Sequence, residues 1–123
     1  MSTILLDTNA YSHFLRGDEK VLRQLADASV IHFSIFVMAE LYYGFAGGKK
    51  EKENRQYLQR FLNKPSVSLL EGTPETADFF ALIKRQLKEK GQPIPLNDVW
   101  IAAHAMETGA TLITYDRHFG RIT

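Results

Sequence analysis

The chain contains no cysteine, and this absence excludes two kinds of site. Neither a disulfide framework nor a thiolate metal site can form without cysteine. No apolar run approaches the roughly 20 residues that a membrane-spanning helix needs, and the N-terminus lacks the basic and then apolar pattern of a signal peptide. We therefore expect a cytoplasmic protein without a membrane role.

Net charge is also scarce, since the total of +1 is too small to indicate a nucleic-acid partner by itself. The basic residues nevertheless cluster in two segments, Lys49–Arg60 and Lys84–Lys90. Solvated helix faces explain such clusters most simply, so they are compatible with an anionic substrate without requiring one.

Length and patterning predict one α/β domain. A chain of 123 residues with 45 % apolar composition suits a single core, so we predict one domain over residues 1–123. Short apolar runs predict strands at Thr3–Leu6, Val30–Ser34, Val67–Leu70 and Thr111–Thr114. Helical spacing predicts helices at Ala10–Leu15, Glu19–Ala28, Ile35–Ala46, Glu51–Leu62, Pro74–Lys90 and Asn97–Thr108. This alternation predicts a mostly parallel sheet covered by helices on both faces.

Glu40 is the most informative residue, because it is the only charged residue between His32 and Lys49 in a strongly apolar stretch. An ionised carboxylate is costly to bury unless it is paired or bound to a cation. A helix that keeps one among apolar neighbours therefore invites a functional explanation.

Three further acids have ordinary explanations when each is taken alone. Asp7 could cap the first helix, Asp98 could complement a helix dipole, and Asp116 is a common turn residue. However, ligands of parallel sheets bind beyond the carboxyl ends of the strands. Asp7 and Asp116 follow the first and last strands, while Glu40 and Asp98 lie near the starts of helices, so all four can converge at that edge.

Such a set of carboxylates suits a hard cation, Mg²⁺ or Mn²⁺, and favours hydrolysis of a phosphodiester as the reaction class. His13, His32 and His118 have no partners at ligand spacing, which disfavours a His-ligated zinc site. We expect His104 to be a core or interface histidine and Ser34 to cap the helix after the second strand.

Four segments together resemble PIN-domain nucleases, especially the VapC-type toxins of type II toxin–antitoxin pairs. They are Leu5–Asn9, Met38–Gly44, Pro95–Ala105 and Ala110–Asp116. The resemblance implies a PIN-like three-layer fold with a four- or five-stranded sheet, and a Mg²⁺-dependent endoribonuclease acting on a structured RNA such as tRNA or rRNA. It also implies a cognate VapB-like antitoxin, a homodimer and a toxin–antitoxin hetero-oligomer.

The resemblance implies site roles as well. Asp7, Glu40, Asp98 and Asp116 would coordinate the metal and act in catalysis, with Thr8, Asn9 and Thr114 in supporting positions. Arg117 adjoins the last acid and is our candidate for a contact to RNA phosphate. Arg117 and His118 stand where some family members have a further acid, so a second metal is less well supported than the first.

Three alternatives compete with the toxin hypothesis. The chain could be a housekeeping PIN-domain nuclease of RNA processing, or a non-catalytic PIN-like binding module that keeps the acids for structure. A phosphate-handling domain of the receiver or haloacid-dehalogenase type is disfavoured. A receiver should have an aspartate after its third strand, where Glu71 and Gly72 follow Leu70, and a dehalogenase should have an acid in place of Asn9.

Overall fold

A computed structural model describes residues 2–122, in which strands and helices alternate as predicted. The strands are β1 (Ser2–Leu6), β2 (Ala28–Ser34), β3 (Val67–Leu70) and β4 (Thr111–Ile113). The helices are α1 (Thr8–Leu15), α2 (Glu19–Asp27), α3 (Ile35–Phe45), α4 (Glu51–Leu62), α5 (Pro74–Lys90) and α6 (Leu96–Thr108). Residues 1 and 123 of the predicted domain lie outside the described part.

The four strands form one parallel sheet in the order β3-β2-β1-β4. Leu6 pairs with Phe33 on β2 and with Ile113 on β4, so these three strands end side by side. The chain segments that follow them begin at the same edge of the sheet. The prediction of a parallel sheet is confirmed, with four strands within residues 2–122.

Helices cover both faces of the sheet, as the contacts of the last two residues of β2 show. The Phe33 ring packs edge-on against Tyr11 of α1 and Phe61 of α4, whereas the next side chain, Ser34, contacts His104 of α6. Because successive strand residues point to opposite faces, α1 and α4 cover one face and α6 covers the other. The structure therefore has the three layers of the predicted fold.

Two groups of buried apolar side chains fill these layers. The larger surrounds Leu5, Tyr11, Phe33 and Leu58, all of which are fully buried. The smaller lies between α5 and α6 and includes Ile83 and other residues of these two helices. Helices α3 and α6, which bear Glu40 and Asp98, each have buried apolar residues on one side.

Element boundaries differ from the predictions by a few residues. β2 starts at Ala28, two residues early, α1 starts at Thr8, and β4 ends at Ile113 instead of Thr114. A 3₁₀ helix at Arg117–Arg121 was not predicted, because so short an element has no apolar period to reveal it.

A bilayer crossing demands a long apolar helix, and we find none among residues 2–122.

Candidate active site

Asp7 lies directly after β1 and is the first of the four site acids along the chain. Its Oδ1 accepts the backbone N–H of Ala10 at 2.8 Å, which makes Asp7 the N-cap of α1. Its Oδ2 accepts a hydrogen bond from the Thr114 hydroxyl, which joins the ends of β1 and β4. Only 3 % of Asp7 is exposed. The ordinary capping role and the site position therefore coexist in one residue.

Glu40 lies in the second turn of α3, at the boundary between the core and solvent. It is partly buried, while Val37 one turn earlier is fully buried and Tyr43 one turn later is 86 % exposed. The expectation of an enclosed apolar setting for Glu40 is therefore only partly met. The Thr8 hydroxyl donates to its Oε1 at 2.7 Å and fixes the carboxylate beside the start of α1.

Asp98 and Asp116 meet around His118. The Nδ1 atom of His118 lies 3.1 Å from Asp98 Oδ2 and 3.0 Å from Asp116 Oδ1. Side-chain ligand atoms of these three residues all lie within 4.8 Å of one another. Asp98 is in the first turn of α6 with a side chain only 13 % exposed, so it points along the buried stripe as predicted.

Electrostatic interactions join the four acids into one cluster. Burial raises the pKa of Asp7, and repulsion from Asp116 and Glu40 raises it further, against lowering hydrogen bonds from Thr114 and Ala10. Burial likewise raises the pKa of Asp98, where repulsion from Asp116 and Glu40 adds to the shift and His118 opposes it. The negative charges of Glu40 and Asp116 therefore act on both Asp7 and Asp98, which places the four carboxylates in one cluster.

The cluster fits a divalent cation. Asp7 and Glu40 accept hydrogen bonds from hydroxyl groups, which orient a carboxylate without cancelling its charge. A small positive ion would relieve the repulsion that Glu40 and Asp116 exert on Asp7 and Asp98, and oxygen ligands are those that Mg²⁺ and Mn²⁺ prefer. The donor chemistry of the residues thus agrees with the predicted type of metal.

The loop after β4 is held in place from two sides. The backbone N–H of Asp116 donates to Thr114 Oγ1 at 2.9 Å, so one threonine contacts both Asp7 and Asp116. On the outside, the Tyr115 hydroxyl donates to Asp18 Oδ2 at 3.0 Å, and its ring lies against His13 with centroids 4.2 Å apart and planes inclined by 32°. Asp116 is therefore placed by contacts to both α1 and the α1–α2 loop.

Similarity to known proteins decides the family. The profile described as PIN domain matches residues 4–123. The chain belongs to the PIN-domain family. Ribonuclease VapC2 of Rickettsia felis is 33 % identical over 102 residues, which cover 82 % of this chain and 75 % of that protein. Ribonuclease VapC2 of Haemophilus influenzae is 32 % identical over 125 residues, which cover 99 % of this chain and 93 % of that protein.

A solved structure agrees with the sequence relatives. VapBC2 of Rickettsia felis, bound to a DNA fragment from the promoter, superposes with a TM-score of 0.83 at 30 % identity, covering 98 % of this chain and 92 % of that one. The PIN-like fold and the resemblance to VapC-type proteins are therefore confirmed.

In this PIN domain, the prediction that His118 has no partners at ligand spacing is wrong. Asp116 caps the 3₁₀ helix by accepting the backbone N–H of His118 at 2.9 Å, and the tight turn brings the imidazole between Asp116 and Asp98. In the sequence, only the position of His118 two residues after Asp116 indicated that these two side chains could meet. It was missed because the partner Asp98 is 20 residues away and meets His118 only in the folded chain.

The supporting residues divide into two groups. Thr8 and Thr114 hydrogen-bond to site acids, as described above. Asn9 is exposed, and within residues 2–122 its side chain makes no hydrogen bond to a site acid, so its role stays a prediction. Arg117 is exposed beside Asp116, and its contact to RNA likewise stays a prediction.

Proposed function

We propose that this single PIN domain is a metal-dependent endoribonuclease toxin that is inhibited by a cognate antitoxin. Its cofactor would be Mg²⁺, with Mn²⁺ as a substitute. We propose the cytoplasm as its location, since a chain without cysteine needs no oxidising compartment for disulfide formation. Both named relatives are ribonucleases, which supports the reaction class.

One observation carries the proposal: four acids distant in sequence gather at one edge of a parallel sheet, where the charges of Glu40 and Asp116 raise the pKa of Asp7 and of Asp98. Such an arrangement opposes stability in a metal-free protein, since burial and like charges both disfavour ionised carboxylates. A metal-dependent function accounts for its presence more simply than a structural role does. We assign metal binding and catalysis to Asp7, Glu40, Asp98 and Asp116.

The chain's own residues would hold and orient the reacting groups. When bound, a divalent ion supplies a water of lowered pKa and positive charge that stabilises the phosphodiester transition state. Thr8 fixes the direction of the Glu40 carboxylate, and Thr114 couples Asp7 to the loop of Asp116. Through Nδ1, His118 contacts both Asp98 and Asp116 and would orient the two carboxylates.

RNA would approach along the exposed side of this edge. Arg117 is exposed next to Asp116 and presents a guanidinium suited to a phosphate contact. We propose a structured RNA, tRNA or rRNA, as the substrate class, in keeping with the family resemblance.

The proposed partners are a VapB-like antitoxin and a second copy of the chain. The solved relative is named as a VapBC pair bound to promoter DNA, which supports a toxin–antitoxin hetero-oligomer for this chain too. Within that assembly, we propose that two copies of this chain form a homodimer.

A cleavage assay tests the function. Purified protein should cut total RNA in the presence of Mg²⁺ or Mn²⁺, and EDTA should abolish the cleavage. Glu40→Gln should abolish it as well, because the variant keeps the shape of the side chain while removing the charge. Cleavage that survives both EDTA and Glu40→Gln would exclude a metal-dependent mechanism at this site.

Expression in cells separates a toxin from a housekeeping nuclease. Induction of the wild-type chain should arrest growth, and co-expression of the gene product encoded next to it should relieve the arrest. Metal-dependent cleavage in vitro without growth arrest would favour an RNA-processing role, and absence of both would favour a binding module.

A further inference from the structure

His104 is a fully buried, titratable side chain that the proposed chemistry does not use. It lies on α6 with no exposed surface. Its Nδ1 is 2.9 Å from the Ser34 hydroxyl oxygen, whereas its Nε2 has no hydrogen-bond partner within residues 2–122. The expected core position is thus confirmed, but a core role alone explains neither the polar ring nor its contact. An apolar side chain would fill the same space at lower cost.

The hydrogen bond to Ser34 ends at the start of another helix. Ser34 is itself fully buried, and its Oγ accepts the backbone N–H of Phe36 at 3.0 Å as the N-cap of α3. Burial lowers the pKa of His104, so the ring is neutral at neutral pH and one nitrogen is free to accept. Of the two possible arrangements, the one tested below has the Ser34 hydroxyl donating to Nδ1 of His104, with the ring proton on Nε2.

This contact joins the two helices that bear Glu40 and Asp98. Glu40 lies six residues after Ser34 on α3, and Asp98 lies six residues before His104 on α6. A second contact joins the same two helices nearer the site: the Phe36 ring of α3 stacks on the Trp100 ring of α6, with centroids 4.9 Å apart and planes inclined by 3°. Rotation or sliding of either helix would separate these paired contacts and change the spacing of the two carboxylates.

We propose that His104 is a positioning residue which, through Ser34, sets the start of α3 and thereby the spacing of Glu40 and Asp98. The inference rests on the proposed metal-dependent function and adds a residue to it. His104 itself contacts neither carboxylate by hydrogen bond among the described residues. Its removal should therefore weaken metal binding and lower kcat, while KM for RNA stays unchanged.

Metal binding tests this role without relying on cleavage. Calorimetric titration with Mn²⁺, well below the unfolding temperature, would compare wild type with His104→Ala, Ser34→Ala and His104→Asn. We expect His104→Ala and Ser34→Ala to weaken Mn²⁺ binding by about tenfold, the lower end of what residues behind metal ligands contribute. His104→Asn should bind more tightly than His104→Ala, since its amide oxygen can accept the Ser34 proton.

Val21→Ala is the matched control. Val21 is a fully buried side chain of α2, a helix that bears none of the four acids, so the variant loses stability without touching the α3–α6 contact. It should bind Mn²⁺ as the wild type does. If His104→Ala and Ser34→Ala also bind Mn²⁺ like Val21→Ala, His104 is only a core residue and the positioning role is wrong.

Nuclear magnetic resonance separates failure of this inference from failure of the proposed function. The ¹⁵N shifts of the His104 ring should identify Nδ1 as the unprotonated acceptor, and Ser34→Ala should shift both Nδ1 and the Phe36 amide. A protonated Nδ1, or a Phe36 amide unaffected by Ser34→Ala, would overturn the inference whether or not RNA is cut. Wild-type protein that shows these signals but binds no Mn²⁺ would instead contradict the proposed function, and the positioning role with it.

Discussion

Two aspartates begin neighbouring helices in the same way, yet they are in opposite electrostatic environments. Asp7 caps α1 and Asp18 caps α2, each by accepting backbone N–H groups through its side chain. Burial and like charges raise the pKa of Asp7. The hydrogen bond from the Val21 N–H, followed by contacts from Tyr115 and His13, holds the pKa of Asp18 below its usual value.

The difference between these caps distinguishes a structural acid from a functional one. A cap needs only a carboxylate near the first turn, and Asp18 satisfies this need while its charge is stabilised. Asp7 satisfies the same need at a cost, because it is buried and lies near the negative charges of Asp116 and Glu40. Local capping patterns therefore do not reveal the site, whereas unrelieved repulsion between buried acids does.

Loss of activity should separate the two aspartates most sharply. Asn caps a helix about as well as Asp, so Asp7→Asn and Asp18→Asn both keep their helix starts. We expect Asp7→Asn to lower the rate of RNA cleavage by at least about a hundredfold, since a metal contributes several kcal/mol to such reactions. Asp18→Asn should stay within about twofold of wild type. Initial rates on a defined RNA with Mn²⁺ measure both, and equal losses would remove the distinction between the caps.

Stabilisation by metal should also depend on Asp7 and not on Asp18. At a Mn²⁺ concentration of about 100 times Kd, the folded state should gain about 2.7 kcal/mol of unfolding free energy. Asp18→Asn should keep this gain, and Asp7→Asn should lose most of it. Urea unfolding with Mn²⁺ and with EDTA provides the comparison. A gain that persists in Asp7→Asn would place the metal elsewhere.

His118 should have a smaller effect than the acids that it contacts. His118→Ala removes the imidazole between Asp98 and Asp116, so these carboxylates lose a common orienting group. We expect about a tenfold loss of kcat, in the range typical of residues that orient metal ligands. Arg117→Ala serves as the neighbouring control and should raise KM for RNA instead. A rise in KM for His118→Ala with unchanged kcat would assign it to RNA binding.

The smallest effect concerns stability and pH in the metal-free protein. Because its folded pKa is raised, Asp7 contributes stability that is fully present below its ordinary pKa of 3.8 and is lost as pH rises through the folded pKa. Asp18 has a lowered folded pKa, so its contribution is present above 3.8 and is lost as pH falls through the folded value.

At neutral pH with EDTA, Asp7→Asn should therefore be more stable than wild type and Asp18→Asn less stable. The gain for Asp7→Asn should shrink on acidification, with a slope below about 1.4 kcal/mol per pH unit for one proton. Urea unfolding between pH 4 and pH 8 measures both differences. If Asp7→Asn were destabilised at neutral pH without metal, the repulsion within the cluster would not be a real cost.

Much of this fold could be predicted because apolar runs and helical periods are local signals. Each strand and helix predicted from such a pattern is present, and the carboxyl ends of β1 and β4 then bring Asp7 and Thr114 together. Convergence of the acids followed from the polarity of the strands and from the positions of Glu40 and Asp98 near helix starts. Apart from element boundaries and the short 3₁₀ helix, what was not predicted within the described residues depends on contacts across the chain.

The contacts of His118 and His104 are such features. His118 reaches Asp98 from 20 residues away through a short 3₁₀ helix, and His104 meets Ser34 from 70 residues away between two layers. Contacts between residues so far apart in the sequence produce no periodic pattern from which they could be predicted. The exposure of Tyr43 was equally hard to predict, because α3 has no charged residue besides Glu40 to mark its outer face.

Anomalous diffraction from crystals containing Mn²⁺ tests most directly whether the four acids form a metal site. The account predicts a manganese peak at the carboxyl edge of the sheet, about 2.0–2.2 Å from carboxylate oxygens that include those of Asp7 and Asp98. Crystals of Asp7→Asn should lack the peak, whereas crystals of Asp18→Asn should keep it. A peak at another place, or one that survives unchanged in Asp7→Asn, would contradict the assignment of this edge as the metal site.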